Sequence, residues 1–506
     1  MHNKAGRTGM SKRNVMVSLA GRTVGMITSF VGRSVFVSTL GSEFLGLGGF
    51  FGNIFAVVSL CELGLGTAIS QSLYKPLANN DKYRVSAIMK YFSKVYTVVA
   101  FVMFFLSIAA IPLLDSIVKS SIDFRIILLS YLLFAAHTFI SYILAPKRML
   151  VVCDQRMYVV TAVRSIFGIV ALAVQCIALI VTGNYIVYLA SRIIMLSIED
   201  IVICRYADKN YPFLSVKGNV SKEYKKSLFS NVKALIWHKL GGTICRSTDS
   251  ILVSYFVGLS GMGKFSNYAL VIGTIGAFFD VAINAVSASV GNLGAGDRGE
   301  KSERIMRIMY FINFWLLTVG SCIIVSVLNP FIELWLGKDM LFSNAEMLVI
   351  TASFYFSCIR DPVQIFVSSY GLFKEIRYIP VVRAAVNLIL SVVFVQKMGI
   401  AGVFLGTVLS TISVPLFSEV WVLYKYGFSI KPYGFYKNML CSIFVSFVSA
   451  GLCFAITSYM SVTYVGVLLR MVVSFGISNL FLLLLFSETM VFGDTLKMLK
   501  LKKRAK

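Results

Sequence analysis

Residues 75–125 read KPLANNDKYRVSAIMKYFSKVYTVVAFVMFFLSIAAIPLLDSIVKSSIDFR. A basic stretch (Lys75, Lys82, Arg84, Lys90, Lys94) gives way to an apolar run, Phe92–Leu114, and then to a short, nearly charge-neutral connection, Asp115 to Arg125. A hydrocarbon core of ~30 Å needs ~20 apolar residues as helix, so the run is long enough to cross a bilayer. Lysine and arginine gather on the cytoplasmic side of such spans, which makes the first stretch inside and the last outside.

The same alternation runs along the whole chain. Spans are expected at Asn14–Thr39, Phe44–Ser72, Phe92–Leu114, Phe124–Ala145, Met157–Val181 and Tyr185–Cys204. Six more follow at Leu228–Val257, Phe265–Leu293, Ile305–Leu328, Ala345–Ser369, Ile376–Val395 and Ile400–Tyr424, then two at Phe435–Ser458 and Val462–Phe486. With the N-terminus inside, roughly 29 Lys and Arg fall in inner segments, about 4 in outer ones and about 15 within spans, several of these at span ends. One missed or invented helix would invert every later loop. The reading is therefore an all-α, polytopic membrane protein of about 14 transmembrane helices with both ends in the cytoplasm.

Composition agrees. The chain is 57% hydrophobic and 14% charged, with mean hydropathy +0.80, more apolar surface than a soluble fold can cover. The net charge of +25 is read as positive-inside loops touching anionic lipid, not as a nucleic-acid footprint, since no base-reading motif accompanies it. The scattered cysteines form no CxxC pair and read as small buried hydrophobes. His137 and His238 read as helix-packing groups. The basic start runs into an apolar segment without an A-x-A site, which marks a first span and not a signal peptide. No GxxxxGK[ST], HExxH or GxSxG set occurs in a credible context, so no catalytic residue, metal or cofactor is assigned.

No loop is long enough to fold alone, so any site lies among the helices. The basic segment 205–227 separates an N-terminal lobe, 1–204, from a C-terminal lobe, 228–424, followed by two extra helices and a basic tail, 425–506. An internal echo accompanies this division. Gly41-Ser42-Glu43-Phe44-Leu45-Gly46 and Gly258-Leu259-Ser260-Gly261-Met262-Gly263 each carry glycines five residues apart at an outer turn. Each follows an Arg-Ser pair, Arg33-Ser34 and Arg246-Ser247. Both turns lie outside, so the repeat is parallel, about an axis along the membrane normal.

A charge at mid-membrane costs at least ~2.5–3.5 kcal/mol and is kept for a reason. Arg164, Arg192, Arg383 and Arg470 lie within about two turns of a span end, where their stems reach headgroups. Glu199, Asp200 and Glu419 sit close to inner ends. Arg22, Arg33, Arg246 and Arg360 are deeper. Arg22 and Arg33 share one helix face about 16 Å apart, and Lys239 shares a face with Arg246. Such a set either lines a cleft for an anionic, phosphate-bearing substrate or ties helices together through carboxylates. The buried acids Glu62, Asp249, Asp280 and Asp361 either neutralise arginines or carry an ion. Asp249 is spaced to pair with Arg246, and Pro362 after Asp361 should break its helix.

The segment Gly46-Leu47-Gly48-Gly49-Phe50-Phe51-Gly52-Asn53-Ile54, with Leu60-Cys61-Glu62-Leu63-Gly64-Leu65-Gly66-Thr67-Ala68-Ile69 and Ser72-Leu73-Tyr74-Lys75-Pro76-Leu77-Ala78, resembles the second span and following loop of bacterial polysaccharide flippases. These are the O-antigen and capsule repeat-unit exporters of the multidrug/oligosaccharidyl-lipid/polysaccharide exporter superfamily. The close match covers about fifty residues, and a looser similarity of span count and lobes extends along the chain. The resemblance implies two six-helix bundles around a central cavity with two further helices. It implies translocation of undecaprenyl-pyrophosphate-linked oligosaccharide from the inner to the outer leaflet of the bacterial plasma membrane by alternating access. The expected partners are that lipid-linked substrate, anionic lipids and a polysaccharide polymerase or other assembly protein. The pyrophosphate role falls on Arg22, Arg33 and Arg246. A cation-coupled drug exporter of the same superfamily, a peptidoglycan-precursor flippase and a membrane polymerase are the rival readings. The short outer loops argue against the last.

Overall fold

The computed structural model describes residues 4–58, 60–118, 120–215, 247–294 and 299–504. It is helical throughout, with no strand among the described residues. Nine helices among them are long and apolar enough to cross a membrane, a conformation that satisfies most backbone hydrogen bonds within the segment as a lipid environment demands. The chain divides into two compact units, Met1–Gly263 and Lys264–Lys506.

The first unit holds α1 (Lys4–Val58), α2 (Leu60–Ala78), α3 (Lys82–Ala109), α4 (Ile111–Ile117), α5 (Phe124–Cys153), α6 (Met157–Thr182) and α7 (Tyr185–Asn210). The first two expected spans are not separated by a loop. They are joined at Gly41, whose φ of 78° and ψ of −172° only glycine adopts without strain. The basic stretch after α2 is likewise no loop but a tight turn. Asp81 accepts a hydrogen bond from the Arg84 backbone N–H at 2.9 Å, so α3 starts well before its apolar run. Gly183 closes α6 in a left-handed conformation, and Asn184 caps α7 through the Ile186 N–H at 2.8 Å. Segment 205–227 also begins as helix, since α7 continues to Asn210. Residues 216–246, which include most of the expected seventh span, lie outside the described residues.

Small residues bring α1 against α6. A Cβ at Gly21 would stand 2.6 Å from Thr161 Cγ2, and one at Gly32 3.0 Å from Leu172 Cδ1. At the basic end, Asn14 clamps the pair: its Nδ2 donates to the Gln155 carbonyl at 2.9 Å, and its Oδ1 accepts from the Tyr158 N–H at 2.8 Å.

The two echoing glycine turns meet within this unit. A Cβ on Gly46 would fall 1.8 Å from the Leu259 carbonyl oxygen, and one on Gly263 would fall 1.9 Å from that of Ser42. The Ser42 and Ser260 hydroxyls are 3.0 Å apart. In the register of the repeat, Ser42 corresponds to Leu259 and Gly46 to Gly263, so each turn presents the same position to the other. This is the reciprocity of a two-fold contact. Next to it, Glu43 accepts from the backbone N–H and hydroxyl of Ser121, both at 2.8 Å.

The second unit contains most of α8 (Leu259–Gly294), then α9 (Glu300–Leu336), α10 (Asn344–Cys358), α11 (Asp361–Ser369), α12 (Phe373–Ile376), α13 (Ile379–Met398), α14 (Ile400–Ser413), α15 (Pro415–Val422), α16 (Tyr433–Ser458), α17 (Tyr464–Phe486) and α18 (Met490–Arg504). Proline interrupts two spans. Pro362 opens α11 after the break at Ile359-Arg360, as expected, and Pro415 does the same between α14 and α15. Asn313 Nδ2 donates to the freed Cys358 carbonyl at 3.0 Å. The lysine-rich end is a helix, α18, against which Trp315 of α9 stacks through Phe492, ring centroids 5.8 Å apart.

Candidate functional site

In the first unit α1 packs along α6, and its aromatic side chains near the Gly41 kink reach the start of α7. Phe36 packs edge-on against Tyr188, centroids 4.9 Å apart, and Phe44 lies 4.9 Å from Tyr185. One turn below Phe36 in α1 is Arg33, and one turn beyond Tyr188 in α7 is Arg192. Arg33 is accordingly within electrostatic reach of both Tyr188 and Arg192. The two arginines stand at one depth. Arg33 precedes the Gly41 kink, and Arg192 follows the Asn184 cap, by about 12 Å of helix each.

The carboxylates of α7 are engaged elsewhere. Glu199 accepts from Arg164 Nε at 3.1 Å and Asp200 from the Arg148 guanidinium at 2.7 Å. Both acids are buried. Among the described residues Arg192 forms no ion pair. Between these two levels His137 of α5 is within reach of Asp200, Arg192 and Arg148, and its Nδ1 is buried without a hydrogen-bond partner. Beyond the C-terminal end of α7, Asp154 accepts from the Tyr211 hydroxyl at 2.7 Å. Burial, and then that hydrogen bond, push the Tyr211 hydroxyl above its usual range.

Arginine's planar fork suits a phosphate, and the aromatic shelf of Phe36, Tyr185 and Tyr188 supplies the apolar wall above. Arg22 is exposed, one residue from Gly21 as Arg33 is from Gly32, so both flank the α1–α6 seam on the same side. Sequence reasoning set Arg192 aside as a residue able to reach headgroups. Its separation of eight residues from the Asn184 cap, equal to that of Arg33 from the Gly41 kink, is the signal that singles it out.

The remaining candidates are dispersed. Lys239 and Arg246 lie outside the described residues, as do the side chains of Glu62 and Asp280. Asp249 is buried in a helical stretch over residues 247–256. Asp361 opens α11. Arg360 is buried in the second unit and engaged with Glu419: Nε donates to Oε2 at 3.1 Å and the terminal nitrogen to Oε1 at 2.6 Å. Glu419, expected only to sit close to a span end, is thus half of a buried pair.

Arg470 differs from expectation too. It does not reach for headgroups but is buried, donating to the Ser326 carbonyl at 3.3 Å and to that of Met460. Among the described residues no cluster of three or more His, Cys, Asp or Glu side chains could hold a metal.

No family model matches this chain, and no curated protein matches it in sequence. Solved structures do. A lipid II flippase, MurJ, in an inward closed conformation has TM-score 0.69 at 14% identity, over 94% of this chain and 99% of that one. An inward-facing multidrug resistance transporter of the MATE family in the MOP superfamily has TM-score 0.64 at 15% identity, over 81% and 97%. A MOP-superfamily transporter from Pyrococcus furiosus, described as having a binding pocket of reverse polarity, has TM-score 0.56 at 14% identity, over 83% and 96%. At these identities the likeness is one of fold alone.

Proposed function

We propose that this chain is a flippase for polyprenyl-pyrophosphate-linked oligosaccharide repeat units in the bacterial plasma membrane. Both termini are cytoplasmic, and the protein serves capsular or other cell-surface polysaccharide assembly beside a polymerase. The observation that carries this reading is that Arg33 lies within electrostatic reach of Arg192 next to the aromatic side chains of Phe36, Tyr185 and Tyr188, with the nearest acids of α7 already held by Arg148 and Arg164. A pyrophosphate cannot enter hydrocarbon unpaired. Guanidinium groups inside the span offer the compensation, and the prenyl chain stays in lipid.

Alternating access of two repeats about a fixed site is the movement that such a fold uses. A charge moved across the field is worth ~2.3 kcal/mol per 100 mV, enough for the membrane potential to bias the cycle. The resemblance carried by Gly46–Ala78 favours capsule-type substrates. The likeness to a lipid II flippase over nearly the whole chain favours a second reading, a peptidoglycan precursor, which shares the polyprenyl-pyrophosphate handle. The drug-exporter reading has only the shared fold in its favour.

Counting lipid-linked units that reach the outer leaflet, in cells making equal amounts of protein, tests the proposal. Arg33→Ala and Arg192→Ala should each reduce the count sharply, and Arg33→Lys only in part. Undiminished translocation in both alanine variants, or dye efflux with no glycan defect, would overturn it. Rescue of a strain lacking its peptidoglycan-precursor flippase, with no effect on capsule, would select the second reading.

A further inference from the structure

The first unit has a second cationic feature, on a different face. A cavity of about 570 Å³ lies between the basic end of α3, the end of α5 and the short turn Pro212–Ser215. Lys90, Lys94 and Lys147 line it, with Ser93, Val98 and Leu214. Lys147 has a partner, Asp208, at 2.7 Å. Lys90 and Lys94 are exposed and form no ion pair among the described residues. They are one turn apart on α3, where like charges destabilise each other unless an anion joins them.

The face that carries them continues upward as Val98, Phe101 and Phe105 at helical spacing. These are 62%, 47% and 63% exposed, an apolar wall left bare by the protein. A cationic floor with a hydroxyl beside it, set under a bare apolar wall, has the outline of an anionic lipid: phosphate below, acyl chain above.

We propose that this groove is a binding site for an anionic phospholipid of the leaflet that meets the Lys82 end of α3. Lys90 and Lys94 hold its phosphodiester, and one acyl chain lies along Val98, Phe101 and Phe105. The inference rests on the membrane-spanning reading and is independent of what the protein transports. The occupant is a lipid and not a free anion because the charged floor and the apolar wall are continuous on one helix face.

The test is lipid retention by the purified full chain, titrated with phosphatidylglycerol, phosphatidylcholine and inorganic phosphate. Phosphatidylglycerol should be held in preference to phosphatidylcholine, and phosphate alone should not displace it. The double variant Lys90→Gln/Lys94→Gln should weaken retention roughly tenfold or more. Lys82→Gln/Arg84→Gln, which removes the same charge from the same helix outside the groove, should leave it unchanged. Lys90→Arg/Lys94→Arg, with an unaltered melting temperature, should retain binding. Equal losses in the groove and control variants would reduce the effect to general surface charge and overturn the site. Displacement by phosphate alone, or equal retention of phosphatidylcholine, would overturn it as well.

Discussion

Arg360 and Glu419 hold each other through two hydrogen bonds between two proline-interrupted spans of the second unit, both side chains less than a tenth exposed. Arg360 ends the break before α11, and Glu419 lies one turn into α15. Each break frees backbone groups and weakens its helix, and the ion pair joins the two weak points.

Removing one partner should therefore destabilise more than removing both. Arg360→Met or Glu419→Leu alone leaves a buried charge uncompensated, a cost of about 3–5 kcal/mol, whereas the double variant should approach the parent. Melting of the purified protein checks this. If Arg360→Met melts like the parent and loses only transport, Arg360 serves the substrate rather than the fold.

The glycine turns give a steric prediction. A side chain at Gly46 meets a backbone oxygen, which no rotamer change can move aside. Gly46→Val and Gly263→Val should each cost upward of about 3 kcal/mol and lower the yield of folded protein. Gly25→Ala, where a Cβ meets nothing within 4 Å, should be neutral or gain up to about 1 kcal/mol in helix propensity. Expression and melting of the three variants, side by side, measure the difference.

Much of the fold could be read in the sequence because two signals reinforced each other: apolar length and the side on which lysine and arginine fall. The break at Pro362 was legible for a local reason, since proline forbids the helix that precedes it. Partners distant in sequence were not. Glu419 is no neighbour of Arg360 along the chain, and Arg148 and Arg164 come from two different helices to meet Asp200 and Glu199. Proximity to a span end made Arg192 and Arg470 look able to escape the membrane. Packing, which hydropathy does not encode, buries Arg470 instead.

The C-terminal helix should respond to acid. Its Asp494 is held below the usual carboxylate range by hydrogen bonds from the Arg304 guanidinium. A lowered folded-state value gives docking that is fully present above the unfolded carboxylate range, about pH 4, and lost as pH falls through the folded value. A probe on α18 should therefore report docking unchanged from pH 7 to 5 and release only under stronger acid. Asp494→Asn should loosen it only modestly at neutral pH, since the pair is exposed, and an indifferent Asn variant would show that Trp315 and Phe492 suffice.

Binding of a short polyprenyl pyrophosphate to the purified full chain in bilayer discs tests the central claim most directly. The parent should bind it and ignore the matching uncharged alcohol. Arg33→Ala and Arg192→Ala should each weaken binding by about tenfold to a hundredfold, the range of one lost charge-assisted hydrogen bond. Their combined loss should be less than additive, because the two groups share one phosphate. Unchanged affinity in both single variants would contradict the account.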